Sequence, residues 1–418
     1  MFMPSWPPYY PVSGKIMEML ELLGNPHLNL PPVIHVTGTN GKGSTVAFMK
    51  QILKEHEIRY CSFTSPHLLN VNENFTVESE VLTDDEINRL TEEIRLKLGG
   101  KIQPSFFEFQ TTLAFLAFSR SNSDICLVEC GMGAKNDPTN IIPSPLLSVI
   151  TPISYDHQKF LGNSIEEITL DKCHVIKNAP VISAPQNQLS EAIINKFCEL
   201  QKVDLHSYQQ SYDFQIEDNN LVYADLEREE LIYYQLPELH GDHQIINLVT
   251  AITVMKKQNI FEVNDDKINQ AITKAKWPGR LENIKSEYKN LDIWFDGAHN
   301  AAGAESLKNW LSNHSNDNIT MIYGRTANTD HENFLKHFLD KNLNINFVTV
   351  KNEPNSETSY SFKKFQNTNN KYQNINISDS LEDVFIKNIL PKPNPQKIII
   401  CGSLYLYRDL HEFLNIGA

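Results

Sequence analysis

The sequence predicts an α/β protein of two domains, the first of them the larger and built on a mostly parallel sheet. Three observations carry that expectation. The 418 residues exceed what one hydrophobic core usually supports. Apolar strand-like and helix-like runs alternate along most of the chain. A glycine-rich loop lies between a short buried strand and a helix, which is the opening of a βαβ unit.

Taken in order, Lys15 to Leu23 has helical spacing and ends at a Gly-Asn-Pro turn. Val33-Ile34-His35-Val36 reads as a strand, the glycine loop follows, and Ser44 to Glu55 reads as a helix. The pattern recurs with a helical apolar run, Phe106 to Phe118, and strands Asp124 to Glu129 and Leu146 to Ile153. Ligands in such sheets sit beyond the C-terminal strand ends, and the polar motifs considered below fall there. From Leu205 to Tyr234 short alternating runs predict a small antiparallel excursion inside the first domain. A helix around Ile245 to Lys257 and a polar stretch precede Leu291 to Phe295, a strand that begins a second α/β series ending at Ile398 to Cys401. The domains are therefore set at 1–287 and 288–418, and the Asn-rich tract Asn367 to Asn376 is read as a surface loop.

Composition narrows the function. A formal net charge of −14 argues against nucleic-acid partners, since affinity for the phosphate backbone needs clustered Lys and Arg. No segment has the length of a membrane span, and Met1 to Pro11, rich in Pro and aromatics, has neither the basic start nor the apolar run of an export signal. Cys61, Cys126, Cys130, Cys173, Cys198 and Cys401 form no CxxC pair and lie mostly in apolar runs, so buried thiols are expected rather than disulfides or zinc. A cytoplasmic monomer without a membrane partner follows.

The loop Gly38-Thr39-Asn40-Gly41-Lys42-Gly43-Ser44 supplies backbone N–H groups, a helix N-terminus and a lysine to phosphate oxygens. The competing view is an ordinary glycine turn, but a lysine among three glycines after a buried strand has no packing purpose. Its compact Gly-Thr-Asn-Gly-Lys form resembles the Mur ligase superfamily, and the His-Val-Thr lead-in with Gly-Lys-Gly-Ser resembles the folate-ligase branch. Further matches are Thr64-Ser-Pro-His-Leu68, Phe107-Glu-Phe109, Glu129-Cys-Gly-Met-Gly133, Asp137 to Asn140, Asp156-His157, Leu161-Gly162, Gly241-Asp-His-Gln244 with Asn247, Pro278-Gly-Arg280, Asp296-Gly-Ala-His-Asn300 and Gly402-Ser403.

That resemblance implies a P-loop ATPase domain followed by a smaller Rossmann-like domain, and ATP-dependent ligation of L-glutamate to dihydropteroate or a folate through an acyl phosphate. It implies ATP, two magnesium ions and a monovalent cation as cofactors. Ser65, Glu129 and His157 become metal ligands, and Asn247, Arg280 and Asp296 contact ATP. Lys42, His299 and a carbamylated Lys172 become the catalytic groups. The acceptor acid falls near Ser105, Phe106, Phe107, Glu108, Asn136, Asp137 and Pro138, where a Phe face can stack and a carboxylate can accept pterin N–H groups. Singly, each residue has a plainer reading: a turn at Ser65, a core His157, a capping Glu129, a salt-bridged Arg280, a solvated Lys172, a helix core at Phe106 and Phe107. Departures from the pattern are Ala134-Lys135-Asn136, Pro138, Asn74, Asp171 in place of a usual Glu, and Cys173-His174 in place of small residues. The rivals are a cell-wall Mur ligase acting on a UDP-MurNAc-type acid and a nucleotide-binding homologue without catalysis.

Overall fold

The apolar run that opens the first sheet, β1 (Val33–Thr37), is buried along its whole length because sheet neighbours flank it on both sides. The computed structural model describes residues 15–313, 319–326, 331–339, 343–392 and 396–416, so the Met1 to Pro11 stretch lies outside the described residues. Around β1 lie β2 (Tyr60–Phe63), β3 (Phe75–Val77), β4 (Glu80–Val81), β5 (Ile125–Glu129), β6 (Leu147–Ile150), β7 (Val181–Ser183) and β8 (Leu205–Ser207). Their order is β4-β3-β2-β5-β1-β6-β7-β8, parallel except for the hairpin pairs of β3 with β2 and β4. The register sets Val36 opposite Glu129 and Thr37 opposite Ile150, so the chain exits three central strands at one level.

Helices Lys15–Leu22, Asp84–Leu98 and Phe106–Phe118 cover one face, with Leu20, Leu90, Ile94, Leu113 and Phe115 buried against Phe63, Phe75 and Val128. Each such fully buried aliphatic side chain contributes about 2 kcal/mol. Phe106–Phe118 is apolar nearly all round and almost wholly buried, as its composition requires.

The antiparallel excursion comprises β9 (Tyr212–Glu217), β10 (Asn220–Asp225) and β11 (Glu230–Gln235). Leu205–Ser207 does not belong to it: this segment pairs parallel with β7 and extends the large sheet. The second α/β series forms β12 (Glu282–Ile284), β13 (Leu291–Phe295), β14 (Ile319–Tyr323), β15 (Leu343–Val348), β16 (Asn376–Ser378) and β17 (Gln396–Cys401), in the order β12-β13-β17-β14-β15-β16. All its pairs are parallel except β12 with β13.

Two compact units result, residues 1–238 with 243–276 and residues 239–242 with 277–418. The second unit thus begins ahead of position 287, because β12 lies before that position and pairs with β13. The Asn367 to Asn376 tract is mostly exposed, as expected of a surface connection, but it is ordered by local structure: it closes the helix Ser359–Thr368, makes a turn over Asn370–Tyr372 and enters β16. Buried Gln366 donates to Tyr372 O and Ile375 O, both at 2.8 Å, and the Tyr372 ring is fully buried. Asn richness there serves turn geometry, which composition alone does not separate from solvation. The six cysteines are free and buried. No helix among the described residues is long and apolar enough to cross a membrane.

Candidate active site

The glycine loop leaves β1 and turns directly into the helix Lys42–Glu55, whose first-turn N–H groups face outward as an anion-binding end. Gly41 caps that helix at φ 86°, and a Cβ there would lie 2.1 Å from Asn247 Oδ1, so both backbone conformation and space require glycine. Asn247 is itself held by donating to Gln244 Oε1 at 3.0 Å. The loop is braced on its other side by the chain leaving β6. Thr39 N and Asn40 N donate to Pro152 O, Thr39 Oγ1 donates to Ser154 O at 3.0 Å, and Asn40 Nδ2 to Ser154 Oγ at 3.2 Å. The strand expected to reach Ile153 therefore stops at Ile150, its last residues forming this brace.

Two ammonium groups converge on the loop. Lys42 Nζ donates to Gly38 O at 3.2 Å and Thr39 O at 3.3 Å, while Lys172 Nζ donates to the same Gly38 O at 2.9 Å. Lys172 is 2% exposed, and burial, followed by the Lys42 charge, lowers it to about 8. It closes the helix Ile165–Lys172, capped by Ser164, close to the expected run.

Glu129 ends β5 beside this loop, nearly buried, and accepts from Ser65 N at 3.3 Å, bringing Ser65, just beyond β2, to the same edge. His157 follows β6 in a left-handed conformation with an exposed side chain, its N–H donating to Asp156 Oδ1 at 2.8 Å. Glu129 and Ser65 thus meet at one edge, where a carboxylate beside a hydroxyl-bearing residue is oxygen chemistry of the kind a hard divalent cation takes, while His157 stands in the segment after β6. No three His, Cys, Asp or Glu side chains among the described residues gather as a group that could hold a metal ion.

Ser105 and Glu108 form a capping box: Glu108 Oε2 accepts from Ser105 N at 2.7 Å, and Glu108 N donates to Ser105 Oγ at 3.3 Å. Glu108 Oε1 stays buried without a partner. Phe107 is core, stacked on Phe63 at 5.5 Å and pressed against Gly131, whereas Phe106 is half-buried; Phe109 is core as well. In the loop after β5, Asn136 is exposed while Asp137 and Pro138 are buried. The Asp137 carboxylate accepts from Thr139 N, Thr139 Oγ1 and Met132 N, an Asx turn that closes the loop on itself. Burial raises Asp137 above the ordinary carboxylate value, against those hydrogen bonds.

In the second unit Asp296, at the end of β13, accepts from Leu281 N and Ala298 N, both at 2.8 Å, and so ties the turn bearing Arg280 to the turn bearing His299. Arg280 packs on Gly297 with Nη1 donating to Gly279 O at 3.1 Å. His299 Nδ1 meets Gly297 O at 2.8 Å, and Arg325 Nη2 donates to His299 O.

Several residues of these motifs are paired in ways the sequence did not foretell. Thr37 Oγ1 donates to Gly133 O at 2.7 Å, Asp171 Oδ1 accepts from Ala134 N at 2.8 Å, and buried His35 meets Thr139 Oγ1 at 2.9 Å and Cys130 Sγ at 3.1 Å. Burial lowers His35 to about 3, so it is neutral. The Ser-x-x-Glu spacing at 105–108 was a legible capping signal; contacts between distant segments carried none.

The sequence matches the Mur ligase middle domain over residues 36–255 and the dihydrofolate synthetase C-terminal domain over 280–415. It is 30% identical to the dihydrofolate synthase/folylpolyglutamate synthase of Bacillus subtilis, covering 97% of this chain and 95% of that protein. The folylpolyglutamate synthase of Lacticaseibacillus casei is 28% identical over 96% of this chain and 94% of its own. Escherichia coli FolC, solved in complex with DHPP and ADP, superposes with a TM-score of 0.85 at 21% identity, over 97% of this chain and 93% of its own, and so shares the fold.

Proposed function

The chain belongs to the Mur ligase family, in its dihydrofolate synthase/folylpolyglutamate synthase branch, and from that premise we propose how its residues divide the work. It is an ATP-dependent ligase that forms a carbon–nitrogen bond between L-glutamate and a folate-type acid. The observation that carries the assignment of its site is the meeting of Lys42 and Lys172 on Gly38 O, with Glu129 and Ser65 at the adjoining strand ends.

The loop N–H groups and Lys42 bind and orient the ATP phosphates, with Asn247 fixing the loop's far side. Glu129, Ser65 and His157 are the side chains that would hold two magnesium ions, which when bound neutralise charge on the β- and γ-phosphates. The γ-phosphoryl group passes to the acceptor carboxylate, the glutamate amine attacks the resulting acyl phosphate, and inorganic phosphate leaves. Arg280 and Asp296 are the second unit's candidate ATP contacts, and His299 is its candidate catalytic group. Half-buried Phe106 offers an aromatic face to the acceptor ring, whereas Phe107 is committed to the core. Glu108 Oε1, buried and unpartnered, is the acceptor for a pterin N–H, while Asn136, Asp137 and Pro138 shape the opposing wall.

Lys172 is carbamylated in this reading. A buried ammonium beside Lys42 and a cation site is electrostatically unfavourable, and carbon dioxide converts it to an anion. With Lys172 near 8, roughly a tenth of the amines are neutral and reactive at pH 7, against fewer than about one in a thousand for a free lysine.

The test is ADP release and product mass with and without dihydropteroate or a folate monoglutamate, at saturating ATP and L-glutamate. Both acceptors are expected to gain one glutamate each per ADP. Extension of folate alone removes the dual activity, and turnover only with a UDP-linked sugar acid, or none at all, overturns the substrate class.

A further inference from the structure

The loop that follows β5 is fastened to the segment that presents Lys172. Asp171 Oδ1 accepts from Ala134 N at 2.8 Å and Lys135 N at 3.4 Å. Gly133, at φ 64°, is pressed onto the same oxygen: a Cβ there would lie 2.2 Å from Asp171 Oδ1 and 2.7 Å from Leu161 Cδ2. Gly133 O in turn accepts from Thr37 Oγ1 at 2.7 Å, and Thr37 immediately precedes Gly38, whose oxygen Lys172 Nζ meets at 2.9 Å. Further along, Asn140 Nδ2 donates to His174 O at 3.1 Å and Lys177 Nζ to Asn140 O at 2.6 Å. Within the loop, Met132 N donates to Asp137 Oδ2 at 3.0 Å and Asp137 N to Ala134 O at 3.1 Å.

The 132–140 loop is thus one hydrogen-bonded body, attached to the Lys172 segment at Asp171, His174 and Lys177 and to the phosphate loop through Thr37. Of the three attachments to the Lys172 segment only Asp171 grips the turn at 133–135, and only Asp171 adjoins Lys172 in sequence. A carboxylate accepting two backbone N–H groups makes charge-assisted bonds, stiffer than neutral ones.

We propose that Asp171 is a positioning residue for the acceptor acid, locking the 133–138 turn to Lys172 and Gly38 so that the acceptor carboxylate and the nucleotide end are held in one frame. The proposal rests on the reading of 136–138 as the acceptor wall. A displacement of an ångström at such a turn is enough to cost about a hundredfold in ligation, and the loss falls on the acceptor rather than on ATP.

The experiment compares Asp171→Ala, Asp171→Asn and Gly133→Ala with the parent protein. Backbone amide exchange of the 131–138 peptide, followed by mass spectrometry without any substrate, reads the latch itself. Steady-state ligation reads KM for dihydropteroate or folate, and nucleotide titration reads the Kd for ADP. Asp171→Ala is expected to speed exchange and raise the acceptor KM by about tenfold or more, with the ADP Kd within about twofold. Asp171→Asn, which keeps an acceptor oxygen in place, should return the acceptor KM to within about threefold of the parent. Gly133→Ala should reproduce the Asp171→Ala signature, and the double variant should be no worse than either single change. Equal effects on acceptor and nucleotide, or an unchanged acceptor KM despite faster exchange, overturn the positioning role; unchanged exchange overturns the latch. If Asp171→Ala does not fold, Gly133→Ala and Asp171→Asn decide. A parent protein that ligates glutamate to neither acid defeats the acceptor reading instead, and the exchange result stands apart from it.

Discussion

Gly38 O receives two lysines, and the two have different fates under mutation. Lys42→Ala removes charge neutralisation at the phosphates, and Glu129→Ala removes the anchoring carboxylate; each should lower ligation on the order of a thousandfold while far-UV circular dichroism stays as in the parent. Near-parental turnover in either purified variant would sink the nucleotide-site assignment. Lys172→Ala should lose nearly all activity and regain part of it when acetate or another short carboxylic acid is added, because a small anion can occupy the vacated space. An inactive variant indifferent to such acids would refute the carbamate, and an active one would refute the role altogether. The identities of Lys42, Glu129 and Lys172 were readable in the sequence because each belongs to a motif with a fixed place at a strand or helix end. Their convergence was not, since Gly38 and Lys172 are separated by 134 positions in the chain.

At the scale of elements, Ser105 shows how a cap and a substrate contact can be told apart. Its side chain accepts from Glu108 N at the start of the helix Phe106–Phe118, so Ser105→Ala should cost about 1 kcal/mol of stability in denaturant melts. If Ser105 acts solely as a cap, the acceptor KM will not move; a rise in KM without loss of stability would make it a substrate contact instead. The helix itself was legible, its apolar run being too long for a strand. Phe107 was harder, because helical periodicity places Phe106 and Phe107 on different faces without saying which face meets the sheet. Packing on Phe63, itself delivered by β2, decided that. Likewise Leu205–Ser207 joined the parallel sheet through β7, a partner that local alternation does not reveal.

At the scale of the whole molecule, two units with separate cores should be separable in unfolding. Trp277, Trp294 and Trp310 all belong to the second unit, so in a Trp6→Phe background tryptophan fluorescence follows that unit alone. Asp409, buried there with its carboxylate accepting from Lys351 N at 2.9 Å, is pushed up to about 6, first by burial and then by Glu412. Between the ordinary carboxylate value of 3.8 and 6 the folded unit binds more protons than the unfolded chain, so stability falls as pH rises through that window and the full penalty persists at pH 7. Asp409→Asn should therefore raise the fluorescence-detected stability at pH 7 by up to about 3 kcal/mol, most of the gain being lost by pH 4. A gain equally large at pH 4, or a loss at pH 7, would contradict that account.

By itself the sequence determined the α/β class, the alternation that makes the large sheet mostly parallel, and the place of the glycine loop between β1 and the helix that follows it. Those features are local: a strand period, a glycine that must take a positive φ and a cap three residues from its partner are written within a few positions of one another. Tertiary structure alone decided that the second unit starts ahead of position 287, that the Asn-rich tract buries Tyr372, that Asp296 braces two turns and that Asp171 grips the loop after β5. Each of these depends on which distant segment arrives as a neighbour. Strand order and register fix that arrival, through burial summed over the whole sheet rather than through any single residue.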